Sequence, residues 1–188
     1  MDCTSSPAPG TSTSTVTTQL FDGLIGFQRG SAQLRPELAT AWTVSPDART
    51  FTFTLRRGVA FHTTPAFTPT RTFNADDVLF TFGRLLNRDS AFAKAFPSVS
   101  PYVVSFGWDK LIRSVEKLGP YEVRLTLAQR DASFLSALSF TFTMIQSAEL
   151  GEQLLKAGTP QRIAQMPVGT GPFQLKSFRA DSVVRFVK

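Results

Sequence analysis

The chain has 188 residues, 42% of them apolar and 18% charged, which is the size of one ordinary domain with enough apolar material to build a core. That balance excludes a disordered tail, a coiled coil and a collagen-like chain. Lys and Arg exceed Asp and Glu by 20 to 14, a net charge of +6, but the basic residues stand singly apart from Arg56-Arg57. With no basic block and no zinc-finger spacing, nucleic acid is not expected as a partner.

No segment approaches the ~18 uncharged apolar residues that cross a bilayer. Met1 to Thr18 has neither the basic start nor the apolar run of a signal peptide. One cysteine, Cys3, and one histidine, His62, cannot form an internal disulfide or a Cys/His metal cluster. Cys3 reads either as a free thiol near a frayed end or as half of a pair whose partner lies outside this chain.

In chain order, residues 4–18 are rich in Ser, Thr, Pro and Gly and read as a loop or arm, so the organisation expected is an arm over 1–19 and a lobe over 20–188. Leu20 to Phe27 suits a helical turn passing into a strand, closed by Arg29-Gly30. Ala41 to Val44 and Thr50 to Arg56 form a hairpin around Ser45-Pro46-Asp47-Ala48, with Phe51, Phe53 and Leu55 alternating against threonines. Asn74 opens a helix over 75–87 that places Val78, Leu79, Phe82, Leu85 and Leu86 on one face. Residues 89–107 read as a long surface loop pinned by Phe92, Phe96, Tyr102 and Phe106. A second hairpin joins 111–118 to 121–127 through Gly119-Pro120. Asp131 can cap a short helix carrying Phe134, Leu135 and Leu138. Phe140 to Ile145 reads as a strand, and 147–157 as a helix stopped by Gly158. A glycine-bearing loop, 167–172, precedes a last hairpin, 173–178 with 182–187.

The chemistry-bearing residues are few. His62 has no G-x-S-x-G partner motif, so a serine hydrolase is excluded and His62 reads as structural. Asp76-Asp77 lie in the first turn of a helix, where the dipole favours negative charge, and read as structural too. Gly169-Thr170-Gly171-Pro172 lacks the G-x-x-x-x-G-K-[ST] pattern and precedes a strand, so it is no phosphate cradle. Its glycines instead let backbone approach another segment closely, at a crossing between substructures or at the edge of a ligand cleft.

Four stretches occur in one order: Leu34 to Asp47 followed by Phe51 to His62; Phe67 to Arg71 followed by Phe73 to Phe82; Asp131 to Leu135; and Pro167 to Phe173. Together they resemble the extracytoplasmic solute-binding proteins of peptide ABC importers, the dipeptide- and oligopeptide-binding family with its antimicrobial-peptide-uptake relatives. The Phe67 to Arg71 insertion is similar to the dipeptide-binding and antimicrobial-peptide branches.

The resemblance implies an α/β fold of the type II, peptide-binding cluster of periplasmic binding proteins. Only the first lobe is covered, with a mixed sheet, β-hairpins and short helices. It implies a non-enzymatic receptor that holds short peptides between two lobes and delivers them to permease subunits in the inner membrane, periplasmic or cell-surface in full-length form, with no cofactor and no metal. The ligand-facing residues it points to are Gly10, Thr11, Ser12 and Thr170. The family's segment between its N-terminal Cys region and the Gly-Thr stretch is missing between Pro9 and Gly10. In dipeptide-binding relatives the N-terminal Cys pairs with a later one, which would place the partner of Cys3 beyond Lys188. The alternative is a free-standing interaction module using β edges and Phe-rich loops. A third reading, an anion-binding module, would show binding that falls steeply with salt.

Overall fold

The computed structural model describes residues 13–86, 88, 90–97, 100–179 and 183–188. Its centre is a four-stranded antiparallel sheet in the order β3-β4-β6-β5, built from β3 (Ala39–Val44), β4 (Thr50–Leu55), β5 (Ile112–Gly119) and β6 (Glu122–Leu127). The two expected hairpins supply the strands, and β4 pairs with β6 to join them, Phe51 opposite Leu125 and Phe53 opposite Val123. Alternation decides the buried face: Phe51, Phe53, Leu55, Val123, Leu125 and Leu127 point inward, while Thr54 and Glu122 face solvent.

Helix α2 (Ala75–Leu85) covers that inner face with Ala75, Val78, Phe82 and Leu85, all buried. Its start is a complete capping box. The Asn74 side chain accepts from the N–H of Asp76 at 2.8 Å, and the Asp77 carboxylate accepts from the N–H of Asn74 at 3.0 Å. Asp77 is fully buried and also takes a bidentate contact from Arg71 at 2.7 and 2.9 Å. The resulting hydrogen bonds hold the Arg71 guanidinium pKa above its usual value against the opposing effect of burial. One residue earlier, Thr70 donates through its N–H and its hydroxyl to Glu149, at 3.0 and 2.6 Å, so Thr70 and Arg71 fasten the Phe67 to Arg71 stretch to Glu149 and Asp77. Helix α7 (Ala148–Lys156) is capped by Ser147 and stopped where Gly158 adopts φ +67°, as its sequence predicts.

The structure differs from the expectation in five respects. The Ser/Thr-rich stretch is helical from residue 13: α1 (Thr13–Leu20) buries Val16, Thr17 and Leu20 against Phe21 and Met144. Poor intrinsic helix formers are held here by burial at i and i+4. β1 (Ile25–Phe27) pairs with β2 (Leu34–Pro36), a small ladder that the turn signal at Gly30 only half announces.

The aromatic-rich region also departs from the expected loop. It contains α3 (Ala91–Ala95), capped by the Ser90 hydroxyl, and α4 (Pro101–Ser105), with Pro at its first turn, before α5 (Trp108–Leu111). Phe140 to Ile145 holds a 3₁₀ turn at Thr141–Thr143, because Phe142 packs inward on Trp108 at 5.2 Å and Tyr102 at 5.3 Å, and a flat strand would not turn it there. Asp131 caps the turn before α6 (Phe134–Ala137) by accepting from the N–H and hydroxyl of Ser133, both at 2.7 Å.

The last hairpin, β7 (Gln174–Arg179) with β8 (Val183–Val187), rests Leu175, Val184 and Phe186 on the α1 cluster. The α/β class with hairpins and short helices is the one expected, but among the described residues every strand pair is antiparallel instead of mixed. Two-residue and tight turns join β3 to β4 and β5 to β6, and such links allow only antiparallel neighbours. Among the described residues no helix is long and apolar enough to cross a membrane.

Candidate functional site

The loop from Pro167 to Pro172 crosses between the end of α1 and the segment after β4, and its two glycines make the crossing possible. A Cβ on Gly169 would lie 2.0 Å from the carbonyl oxygen of Leu20, and one on Gly171 would lie 2.6 Å from that of Gln19. The close approach is used: Gly171 N–H donates to Leu20 O at 3.0 Å, and Phe173 N–H to Gln19 O at 3.2 Å. On the other side stands His62, 7% exposed. Its backbone N–H donates to Gly169 O at 2.9 Å, its Nε2 lies 2.8 Å from Gly171 O, and Gly169 N–H donates to its Nδ1 at 3.4 Å.

Thr170 stands between the two glycines, and its hydroxyl donates to Asp22 Oδ2 at 2.8 Å. Asp22 in turn receives Ile145 N–H on its carbonyl at 3.0 Å. The adjoining Gly23 N–H donates to Glu37 Oε2 at 3.1 Å, while Arg35 Nη2 holds Glu37 Oε1 at 2.7 Å. Burial pushes the Glu37 carboxyl pKa above its usual value, with the Asp22 charge adding to the effect and the Gly23 and Arg35 contacts opposing it. This corner is a half-buried rim of hydrogen-bonding groups around Thr170 and Asp22.

Of the residues singled out from sequence, Thr170 sits here, whereas Gly10, Thr11 and Ser12 lie outside the described residues, as does Cys3. Gly10, Thr11 and Ser12 directly precede α1 in sequence, while the glycines on either side of Thr170 approach its last residues, Gln19 and Leu20. Asp22 had no sequence signal, because a single carboxylate between two apolar runs looks like any surface residue. The glycine pair flanking Thr170 was the signal for the close crossing.

Both His62 ring nitrogens are taken by loop backbone, Asp77 is saturated by four donors, and Asp76 is an exposed partner of Lys117 at 2.7 Å. No group of three His, Cys, Asp or Glu side chains among the described residues is arranged to hold a metal ion. A small cavity between Phe21, Gln146, Ile163 and Val168 has room for about one water, far too little for a peptide.

Comparison with known proteins identifies one family. The sequence model described as Bacterial extracellular solute-binding proteins, family 5 Middle, matches residues 33–188. A curated relative, Di/tripeptide-binding protein 3 of Pseudomonas aeruginosa, is 48% identical over 177 residues, which is 94% of this chain and 33% of the relative. The crystal structure of a dipeptide-binding protein from Pseudoalteromonas sp. SM9913 in complex with Met-Leu superposes with a TM-score of 0.90 at 39% identity, covering 100% of this chain and 37% of that one. The Helicobacter pylori periplasmic binding protein DppA in complex with the peptide STSA gives 0.88 at 33% identity, covering 96% and 35%. The chain thus spans about a third of the length of the relatives it matches. With that model spanning most of its length, the chain belongs to the bacterial extracellular solute-binding proteins of family 5.

Proposed function

We propose that this chain is the first lobe of the substrate-binding component of a peptide ABC importer. In full-length form it works at the cell surface or in the periplasm, closes on a di- or oligopeptide between two lobes and presents it to permease subunits in the inner membrane. The observation that carries this reading is the superposition of the whole chain, at 39% identity, on a relative that holds Met-Leu. Gly10, Thr11, Ser12 and Thr170 are the residues of this lobe that face the peptide. The Thr170–Asp22 rim supports the role of Thr170, because it offers hydroxyl and carboxylate oxygens on a fixed backbone, the kind of group that reads peptide N–H donors.

Isothermal titration with Met-Leu tests it. The 188-residue chain joined to a family-type second lobe binds the dipeptide, while the chain alone binds it weaker by orders of magnitude. A clamshell encloses its ligand, and each lost charged anchor is worth about 1.5–3 kcal/mol. Submicromolar binding by the chain alone would overturn the half-receptor reading, and no binding by the two-lobed form would overturn peptide as the ligand.

A further inference from the structure

We infer that His62 is the positioning residue for Thr170: through one ring and one backbone N–H it fixes the Gly169–Gly171 crossing against the end of α1, and so sets where the Thr170 hydroxyl stands. The inference rests on the reading of Thr170 as ligand-facing. Three contacts carry it, all between His62 and the two glycines and none to Thr170 itself: His62 N–H to Gly169 O, Gly169 N–H to Nδ1, and Nε2 with Gly171 O.

Their polarity selects one form of the ring. Gly169 N–H is a donor, so Nδ1 must offer a lone pair. Gly171 O is an acceptor, so Nε2 must carry the proton. A ring protonated on Nδ1 would set donor against donor at Gly169 and leave Gly171 O facing a lone pair.

The opposite side of the crossing allows no compensation. Gly169 and Gly171 already touch the backbone of Gln19 and Leu20 with no space for a Cβ, so the crossing is gripped between the imidazole and α1. Thr170, between two buried glycines, inherits its place from that grip and reaches Asp22. An apolar residue of similar size at 62 would fill the volume, keep the backbone bond to Gly169 O and lose both ring contacts. A glutamine would keep a donor for Gly171 O.

Nuclear magnetic resonance of the isotopically labelled 188-residue chain tests this, because His62 is its one histidine and its ring signals are unambiguous. The ring is expected to carry its proton on Nε2 with Nδ1 bare. In His62→Phe the amides of Gly169 and Gly171 are expected to exchange with solvent about tenfold faster, the change from losing one or two hydrogen bonds, while those of Phe53 and Val123 in the central sheet keep their protection. Gly171 is the decisive probe. Its N–H bonds Leu20 and not His62, so it moves only if the ring positions the crossing.

His62→Gln is expected to restore Gly171 protection to within about twofold of the parent chain. A ring protonated on Nδ1, or a Gly171 amide indifferent to His62→Phe, would overturn the inference. If His62→Phe does not fold, the tautomer and His62→Gln decide, and a fully unprotected Gly171 in His62→Gln overturns it. Titrating the chain joined to a family-type second lobe with Met-Leu separates the two readings. An unmoved Thr170 signal removes the ligand-facing role, whereas the grip stands or falls on the exchange data.

Discussion

The buried carboxylate of Asp77 accepts the backbone N–H of Ala148 at 2.8 Å, which ties the first turn of α2 to the first turn of α7 across 71 positions of sequence. With Arg71 and Asn74 N–H supplying the other donors, each oxygen of this carboxylate has two partners. Removing it leaves the buried Ala148 N–H unpaired and takes the carboxylate from a partly exposed Arg71, so Asp77→Ala is expected to cost about 2–3 kcal/mol. Asp76→Ala, next in the chain, costs no more than about 1 kcal/mol, since its bond to Lys117 is exposed. Urea melts of the two variants check the contrast, and equal midpoints would show that the buried network carries no special weight.

Asn74 supplies the other half of the capping box. Asn74→Ala removes the acceptor for Asp76 N–H and is expected to lower stability by about 1 kcal/mol. Asn74→Asp retains a side-chain acceptor and is expected to recover most of the loss. A denaturation midpoint unmoved by Asn74→Ala would rule out a stabilising cap.

Glu37 gives the fold a pH dependence of defined sign. Its folded-state pKa is raised above 4.5, chiefly by burial, so the native chain holds that proton more tightly than the unfolded chain does. Between 4.5 and the raised value, the Glu37 contribution to stability therefore falls as pH rises, and its penalty is complete above the folded-state pKa. Glu37→Gln removes this titration, so the variant gains on the parent chain as pH rises through that window. Stability measured at about pH 4 and about pH 7 tests it, and a parent-to-variant difference independent of pH would contradict the burial effect.

Gly169 and Gly119 make an internal comparison. A methyl group at Gly169 would press on Leu20 O and on the Phe21 ring, at 2.0 and 2.7 Å, and backbone cannot swing aside. Gly169→Ala is expected to destabilise by about 1–3 kcal/mol, as overpacking does, and to displace Thr170 from Asp22. At Gly119 nothing stands within 4 Å, and Gly119→Ala is expected to be neutral or to stabilise by up to about 1 kcal/mol through the unfolded state. Thermal melts of the pair, with the Thr170 amide shift as a local reporter, decide whether the crossing is as tight as it looks.

Where one local signal governs, the sequence is easy to read. Phe51, Phe53 and Leu55 alternate because the sheet has one wet face, and Asn74 three before Asp77 announces a helix start. Gly158 likewise marks the end of α7. The misreadings share a cause, in that distant partners outweigh local preference. Val16 and Leu20 make α1 helical only because Phe21, Met144 and the last hairpin wait beside them. Phe142 bends its segment into a 3₁₀ turn only because Trp108 and Tyr102 receive it. At the candidate site, Gly169 and Gly171 betrayed the crossing, but neither Asp22 nor the grip of His62 can be inferred without knowing what the crossing touches.

The strand order β3-β4-β6-β5 fixes a timetable for folding. Each hairpin has its own tight turn and can form in about 1–10 μs. The seam between β4 and β6 must wait until everything from Arg56 to Tyr121 has closed into a loop, and non-local pairing of this kind slows folding. Phe53 and Val123 meet only at that seam, so truncating either should slow refolding, while changes in the Ser45 to Arg49 turn act on an event already complete. The core of this lobe is thus assembled by two preformed halves finding each other, and the collision, not the hairpins, sets the rate.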